Sequence, residues 1–220
     1  MAETQNNGQT LEVTEGEKYR AVEELIKRST PNAVYYSLLV FSSLIIGCGI
    51  LLDNMAILIG GMLVAPVLTP ALTMALGISI GDTKLIGKEF GLLVRSFAVV
   101  AMAAAIMTLI FGGPEEFFIA ENSLRAASLY FVVAVASGMG ATFALARKEV
   151  SEALPGIAIA VSLVPPVSIA GASLMTASFA VTRFYFLVFS LNLLGIVAGS
   201  LVVFSLLRFY KAEGKVKSME

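Results

Sequence analysis

The chain is predicted to be an all-α polytopic membrane protein: six transmembrane helices as two inverted three-helix repeats, with helices 2 and 5 broken at prolines. Three observations predict it. Of 220 residues, 57% are apolar and 14% charged, with mean hydropathy +0.86; soluble domains carry roughly 45–50% and about 25%. Long apolar runs begin near residue 33 and continue almost to the end, and about 20 such residues cross a bilayer. Two proline-bearing stretches, "GGMLVAPVLTP" at 60–70 and "AVSLVPPVSIAG" at 160–171, interrupt two of those runs at matching places.

Residues 1–13 are polar and read as disordered, and a polar N-terminus does not fit a cleavable signal peptide. A short amphipathic helix follows at 14–29. Thr14 with Glu17 forms a capping box, and Tyr19, Val22, Leu25 and Ile26 share one face at helical spacing. This helix is expected to lie on the membrane surface or on its own membrane domain. Pro31 ends it. The hydrophobic segments are then 33–52, 55–80, 84–111, 123–146, 152–178 and 181–209. Short connections make successive helices antiparallel neighbours.

The chain thus divides into a cytoplasmic arm with its helix (1–32), a first three-span repeat (33–111), an extracytoplasmic connector (112–122), a second repeat (123–209) and a cytoplasmic tail (210–220). Lysine and arginine set the orientation. Lys18, Arg20, Lys27, Arg28, Lys84, Lys88, Arg147, Lys148, Arg208, Lys211, Lys215 and Lys217 all fall on one side of a six-span arrangement; Arg125 and Arg183 fall on the other. Both termini are therefore expected in the cytoplasm, with the protein in the cell (inner) membrane.

Ile57, Ile59, Leu63, Val64, Pro66 and Val67 recur one hundred positions later as Ile157, Ile159, Leu163, Val164, Pro166 and Val167. Each stretch lies in the middle span of a three-span unit, so the second unit enters the membrane inverted, as in many transporters. Proline removes a backbone donor and obstructs the carbonyl one turn back. Lipid cannot satisfy the freed groups, so breaks belong against protein or a water-filled cavity. Half-helices starting near Pro66 and Pro166 would aim their positive dipole ends at the midplane. Proline kinks that only improve packing are the plain alternative.

The residues singled out for solute binding are Pro66, Thr69, Pro70, Arg95, Ser162, Pro165, Pro166, Ser168 and Asn192. The prolines shape the break and the hydroxyls offer hydrogen bonds, unless they bond back to their own helices. Arg95, well inside the third span, costs about 2.5–3.5 kcal/mol to insert and is expected to face protein or water. Asn192 suits an interhelical hydrogen bond. The glycine pairs Gly60/Gly61 and Gly138/Gly140 predict close helix packing.

The chain has no histidine and one cysteine, Cys48. Metal sites, cofactors and a disulfide framework are not expected, and Cys48 reads as a small buried apolar residue. No nucleophile–base pair points to an enzyme. A net charge of −1 argues against nucleic acid.

Three stretches carry a family resemblance: "GILLDNMAILIGGMLVAPVLTPALTMALGISIGD" (49–82), "ALPGIAIAVSLVPPVSIAGASL" (153–174) and "LNLLGIV" (191–197). They resemble the prokaryotic membrane family called domain of unknown function 389, over roughly residues 33–205. The resemblance implies a multi-span fold and supplies no substrate. Many members carry a larger soluble N-terminal region; about 32 residues precede the first span here.

These features predict a transporter or channel for a small polar or ionic solute, with a weak preference for an anion, sited at the two breaks. The alternatives are a non-transporting structural or regulatory oligomer and a membrane ligand-binding receptor. The expected partners are the lipid bilayer, the solute and a second copy of the chain in a homodimer.

Overall fold

The computed structural model describes residues 13–113, 123–147, 156–157 and 163–209. The polar N-terminal residues, most of the 112–122 connector, the 210–220 tail and Ser162 lie outside the described residues. Among those described, the protein is all-helical: α1 (Glu15–Arg28), α2 (Ala33–Leu51), α3 (Met55–Val64), α4 (Leu68–Ile80), α5 (Thr83–Phe111), α6 (Ser123–Ala146), α7 (Val164–Met175) and α8 (Phe179–Leu206). Four helices, α2, α5, α6 from Arg125 on, and α8, are long and apolar enough to span a membrane; α3 and α4 together make a fifth candidate, bent by 51°. Residues 152–155 and 158–162 of the predicted fifth segment lie outside the described residues, and the helix described within its remainder is the 12-residue α7.

The helix ends follow local chemistry. Asn32, Asn54 and Asp82 cap α2, α3 and α5, their side chains accepting from Tyr35, Ile57 and Lys84/Leu85 N–H groups respectively. Three turns share one closure, in which a residue in the left-handed region precedes an N–H that reaches back five residues. Asp53, Gly81 and Ala177 take the positive φ. The bonds are Asn54 N–H to Gly49, Asp82 N–H to Gly77 and Ser178 N–H to Ser173, each 2.9 Å.

Small residues let the helices approach closely. A side chain at Gly138 would strike the Ile196 backbone, and one at Gly199 the Val135 backbone; Gly195 lies against Ala134. Gly138, Gly195 and Gly199 therefore form a seam between α6 and α8, reinforced by Ser200 Oγ donating to the Gly138 carbonyl at 3.3 Å. Gly61 packs on Ile46 between α3 and α2, as predicted, whereas Gly60 has open space around it. The half-helices α4 and α7 each pack against both long helices, α5 and α8. Gly171 brings α7 onto the Ala101 backbone of α5.

The capping box of α1 is present: Thr14 accepts from the Glu17 N–H, and Glu17 accepts from the Thr14 N–H at 2.8 Å. Val22, Leu25 and Ile26 are buried, and α1 packs on α4 and α6 of its own membrane part. Arg20 Nη2 donates to the Leu145 carbonyl at 3.4 Å. Two expectations need correction. Tyr19 is 41% exposed, because the buried stripe runs through Lys18, Ala21 and Val22 instead. Cys48 is exposed, on the outer flank of α2 between the inward-facing Gly47 and Gly49.

Two predictions follow from this packing. Gly199→Val overpacks the α6–α8 seam and should cost on the order of 1–3 kcal/mol, seen as a lower thermal midpoint in detergent; Gly60→Ala should leave the midpoint unchanged. The Thr14 backbone and side-chain hydrogen bonds hold the Glu17 carboxyl below its ordinary value. Its contribution is therefore complete above the ordinary glutamate range and fades as pH falls through the lowered value. Amide exchange in α1 should accelerate at acid pH, and Glu17→Gln should remove that dependence.

Candidate functional site at the helix breaks

At the first break, Ala65 precedes a proline and adopts extended backbone, φ −68° and ψ 123°, which ends α3 at Val64. Pro66 has no N–H to return to the Met62 carbonyl. The Ala65 N–H turns to Met62 instead, at 3.3 Å. That releases the Gly61 carbonyl, which Ala65 would serve in a regular helix. Ser42 of α2 donates its Oγ proton to Gly61 at 2.8 Å. One hydroxyl from a neighbouring helix thus compensates a carbonyl that the proline set free.

The half-helix after the first break, α4, and the short helix α7 begin alike. The first three residues of α4 are Leu68, Thr69 and Pro70; those of α7 are Val164, Pro165 and Pro166. Their structural register is 96 positions, not one hundred: it pairs 68 with 164, the left-handed turn residues 81 with 177, and the starts of the long helices, 83 with 179. Pro70, not Pro66, is therefore the counterpart of Pro166. Pro66 stands in the unwound link, in register with Ser162, which lies outside the described residues.

Neither start has a side-chain cap: Val67 and Leu163 occupy the cap positions in right-handed helical conformation. Proline in the first turn removes donors that would otherwise need a partner. Pro70 removes one from α4, and Pro165 and Pro166 remove two from α7. The positive dipole ends remain, while the backbone N–H groups available to a ligand are few. A phosphate-type cradle of successive amides is not what these starts offer.

Around the starts, Pro66 and Thr69 are half-buried and Pro70, Pro165, Pro166 and Ser168 are buried. Ser168 is fully buried, and its hydroxyl has no hydrogen-bond partner. Thr73 bonds back to the Thr69 carbonyl at 2.9 Å, and Ser173 and Thr182 bond each other at 2.8 Å. Asn192 is buried on the inward face of α8. The structure does not bring Arg95 to the breaks. It is exposed on the outer face of α5, where its Nε donates to the Gly91 carbonyl at 3.0 Å.

Two residues matter here that the sequence reading did not single out, Ser42 and Glu89. Glu89 is fully buried and accepts from Ser29 Oγ at 3.2 Å. Leu85, Glu89, Leu92 and Ser96 recur at helical spacing along the inward face of α5, so periodicity alone would have put this carboxyl inside.

The family model described as "Domain of unknown function (DUF389)" matches residues 62–198. Among curated proteins, the chain is 24% identical over 194 residues to the uncharacterized protein MJ0678 of Methanocaldococcus jannaschii, covering 86% of this chain and 58% of that protein. The chain therefore spans less than two thirds of that relative's length. No solved structure matches. The family match covers more than half of the chain, including the first break and the start of α7, and the chain belongs to the family Domain of unknown function (DUF389).

Proposed function

We propose that this chain is a membrane transporter or channel, not an enzyme, for a small polar or ionic solute. Its site lies where the polypeptide breaks before α4 and α7. The observation that carries the reading is the pair of uncapped helix starts, each held between the same two long helices, with the unpartnered Ser168 hydroxyl in the second. An uncapped start inside a bilayer needs protein, water or a ligand to complete it.

The common register of half-helix, left-handed turn and long helix supports two repeats of three spans, the second inverted. The basic residues, all but three on one side of a six-span arrangement, support cytoplasmic termini in the cell (inner) membrane. The dipole ends favour an anion weakly, and Arg95 adds nothing to that preference within one chain. An arginine on the outer face of a span is costly. A homodimer that covers the outer face of α5 would relieve this cost.

Solvent access to the breaks tests the reading. In a Cys48→Ser background, Thr69→Cys and Ser168→Cys should each react with a charged, membrane-impermeant thiol reagent applied to intact membranes from one side or the other. Flux assays in vesicles, starting with small anions, should then show uptake that the labelled protein loses. Absence of labelling at both positions in a folded protein overturns transport and favours a dry packing module of structural or regulatory role.

A further inference from the structure

We propose that Glu89 is a proton-binding site whose occupancy holds or releases the N-terminal helix α1. The inference does not depend on the transport reading. Among the described residues Glu89 is the one fully buried acid. Its Oε1 lies 3.2 Å from Ser29 Oγ, and its Oε2 has no partner. Ser29 is the residue that closes α1, its N–H bonded to the Leu25 carbonyl at 3.0 Å. The carboxyl therefore touches α1 at its end.

Among the described residues no cation forms an ion pair with Glu89; Lys88, the residue before it, acts on it through its charge alone, from an exposed position. On α1, Lys18 pairs with Glu15 at 3.0 Å and Arg28 with Glu24 at 2.8 Å, Lys27 is exposed, and Arg20 reaches Leu145. On α2 the titratable groups are Tyr35, whose hydroxyl bonds Ser96 at 2.8 Å, Tyr36, and the exposed Cys48. Neither α4 nor α7 has a titratable residue. Lys84, Lys88 and Arg95 on α5 are exposed, as is Arg208 beyond α8. Arg147, after α6, acts on Glu17 at the other end of α1. An ionised carboxylate here would be a buried charge with no counter-ion in contact among the described residues.

The hydrogen-bond geometry distinguishes the two protonation states. Ser29 has a single hydroxyl proton and two acceptors in reach, the Ile26 carbonyl at 3.3 Å and Glu89 Oε1 at 3.2 Å. A protonated carboxyl donates to Ser29 Oγ, and Ser29 donates onward to Ile26, so both contacts are made at once. An ionised carboxylate forces Ser29 to choose and gains at most one bond. The docked arrangement is thus the one that binds the proton. By linkage, docking of α1 is favoured at low pH and weakened as pH rises. Since α1 packs on α4, release would uncover the half-helix that follows the first break.

The test uses the full chain in lipid nanodiscs, taken from about pH 5 to about pH 9, a range that brackets the titration of buried carboxyls. Infrared spectroscopy follows the carboxyl band, and amide exchange in α1, corrected for its intrinsic pH dependence, follows docking. The expected result is loss of a protonated-carboxyl band together with several-fold faster α1 exchange in the same window. Glu89→Gln should abolish the band and keep α1 protected throughout, because the carboxamide N–H still donates to Ser29. Ser29→Ala should keep the titrating band and uncouple α1 from it. Exchange in the unaltered chain that is flat across the range overturns the proposal. So does Glu89→Gln retaining the original pH dependence. Should Glu89→Gln fail to fold, coincidence or separation of the two signals in the unaltered chain decides.

Discussion

A backbone group inside a bilayer has no water to bond, and the architecture of this chain depends on how it meets that constraint. Regular helices satisfy it within themselves, which is why α2, α5, α6 and α8 need little beyond length and apolar composition. The link at 65–67 cannot, and its accounting is local and traceable. Pro66 withdraws a donor, Ala65 shifts to Met62, and the stranded Gly61 carbonyl is met by Ser42 from the adjacent helix. At the helix starts other prolines, Pro70 in α4 and Pro165 and Pro166 in α7, delete N–H groups that would otherwise be orphaned.

Holding a 12- or 13-residue helix inside the membrane part requires rigid walls. These are α5 and α8, of 29 and 28 residues. At about 1.5 Å rise per residue each exceeds a hydrocarbon core of about 30 Å. Apolar side chains alone give no net drive between helices in lipid, so close backbone approach matters. Gly171 brings α7 onto α5, and Gly138, Gly195 and Gly199 lock α8 to α6. Phe97 of α5 and Phe189 of α8 meet edge to face at 4.5 Å between ring centres, joining the two walls.

One cluster of buried polar groups lies where α1 meets the bundle. Ser29, Glu89, Tyr35, Ser96 and Thr73 are all buried there or just beneath, on four different helices or their ends. Most are satisfied by a carbonyl one turn back or by one another. Glu89 is the exception among these five: its Oε2 is unpaired, while its Oε1 touches the end of the amphipathic helix α1. The short N-terminal arm is thereby part of the core chemistry of the membrane region.

Much of the helix order was legible in the sequence because its signals are local. The Thr14–Glu17 capping box, the pre-proline end of α3 at Val64 and the extents of α2, α5 and α6 all come from neighbouring residues acting on their own backbone. Proline pairing was legible only in part. The local likeness of 60–70 and 160–171 suggested a spacing of one hundred, while helix starts and turns repeat at 96, because register is set by where α4 and α7 seat between the long helices. Neighbours decided the rest. Arg95 and Glu89 are six residues apart on one helix, yet one faces outward and the other is sealed inside, since only packing determines which stripe of α5 is covered. Sequence by itself determined a membrane-type chain of apolar helices, the caps of its helices and the place of the break before α4. The tertiary structure alone decided which hydroxyl repairs a break, which glycines touch and which carboxyl oxygen lacks a partner, because each depends on contacts between residues distant along the chain.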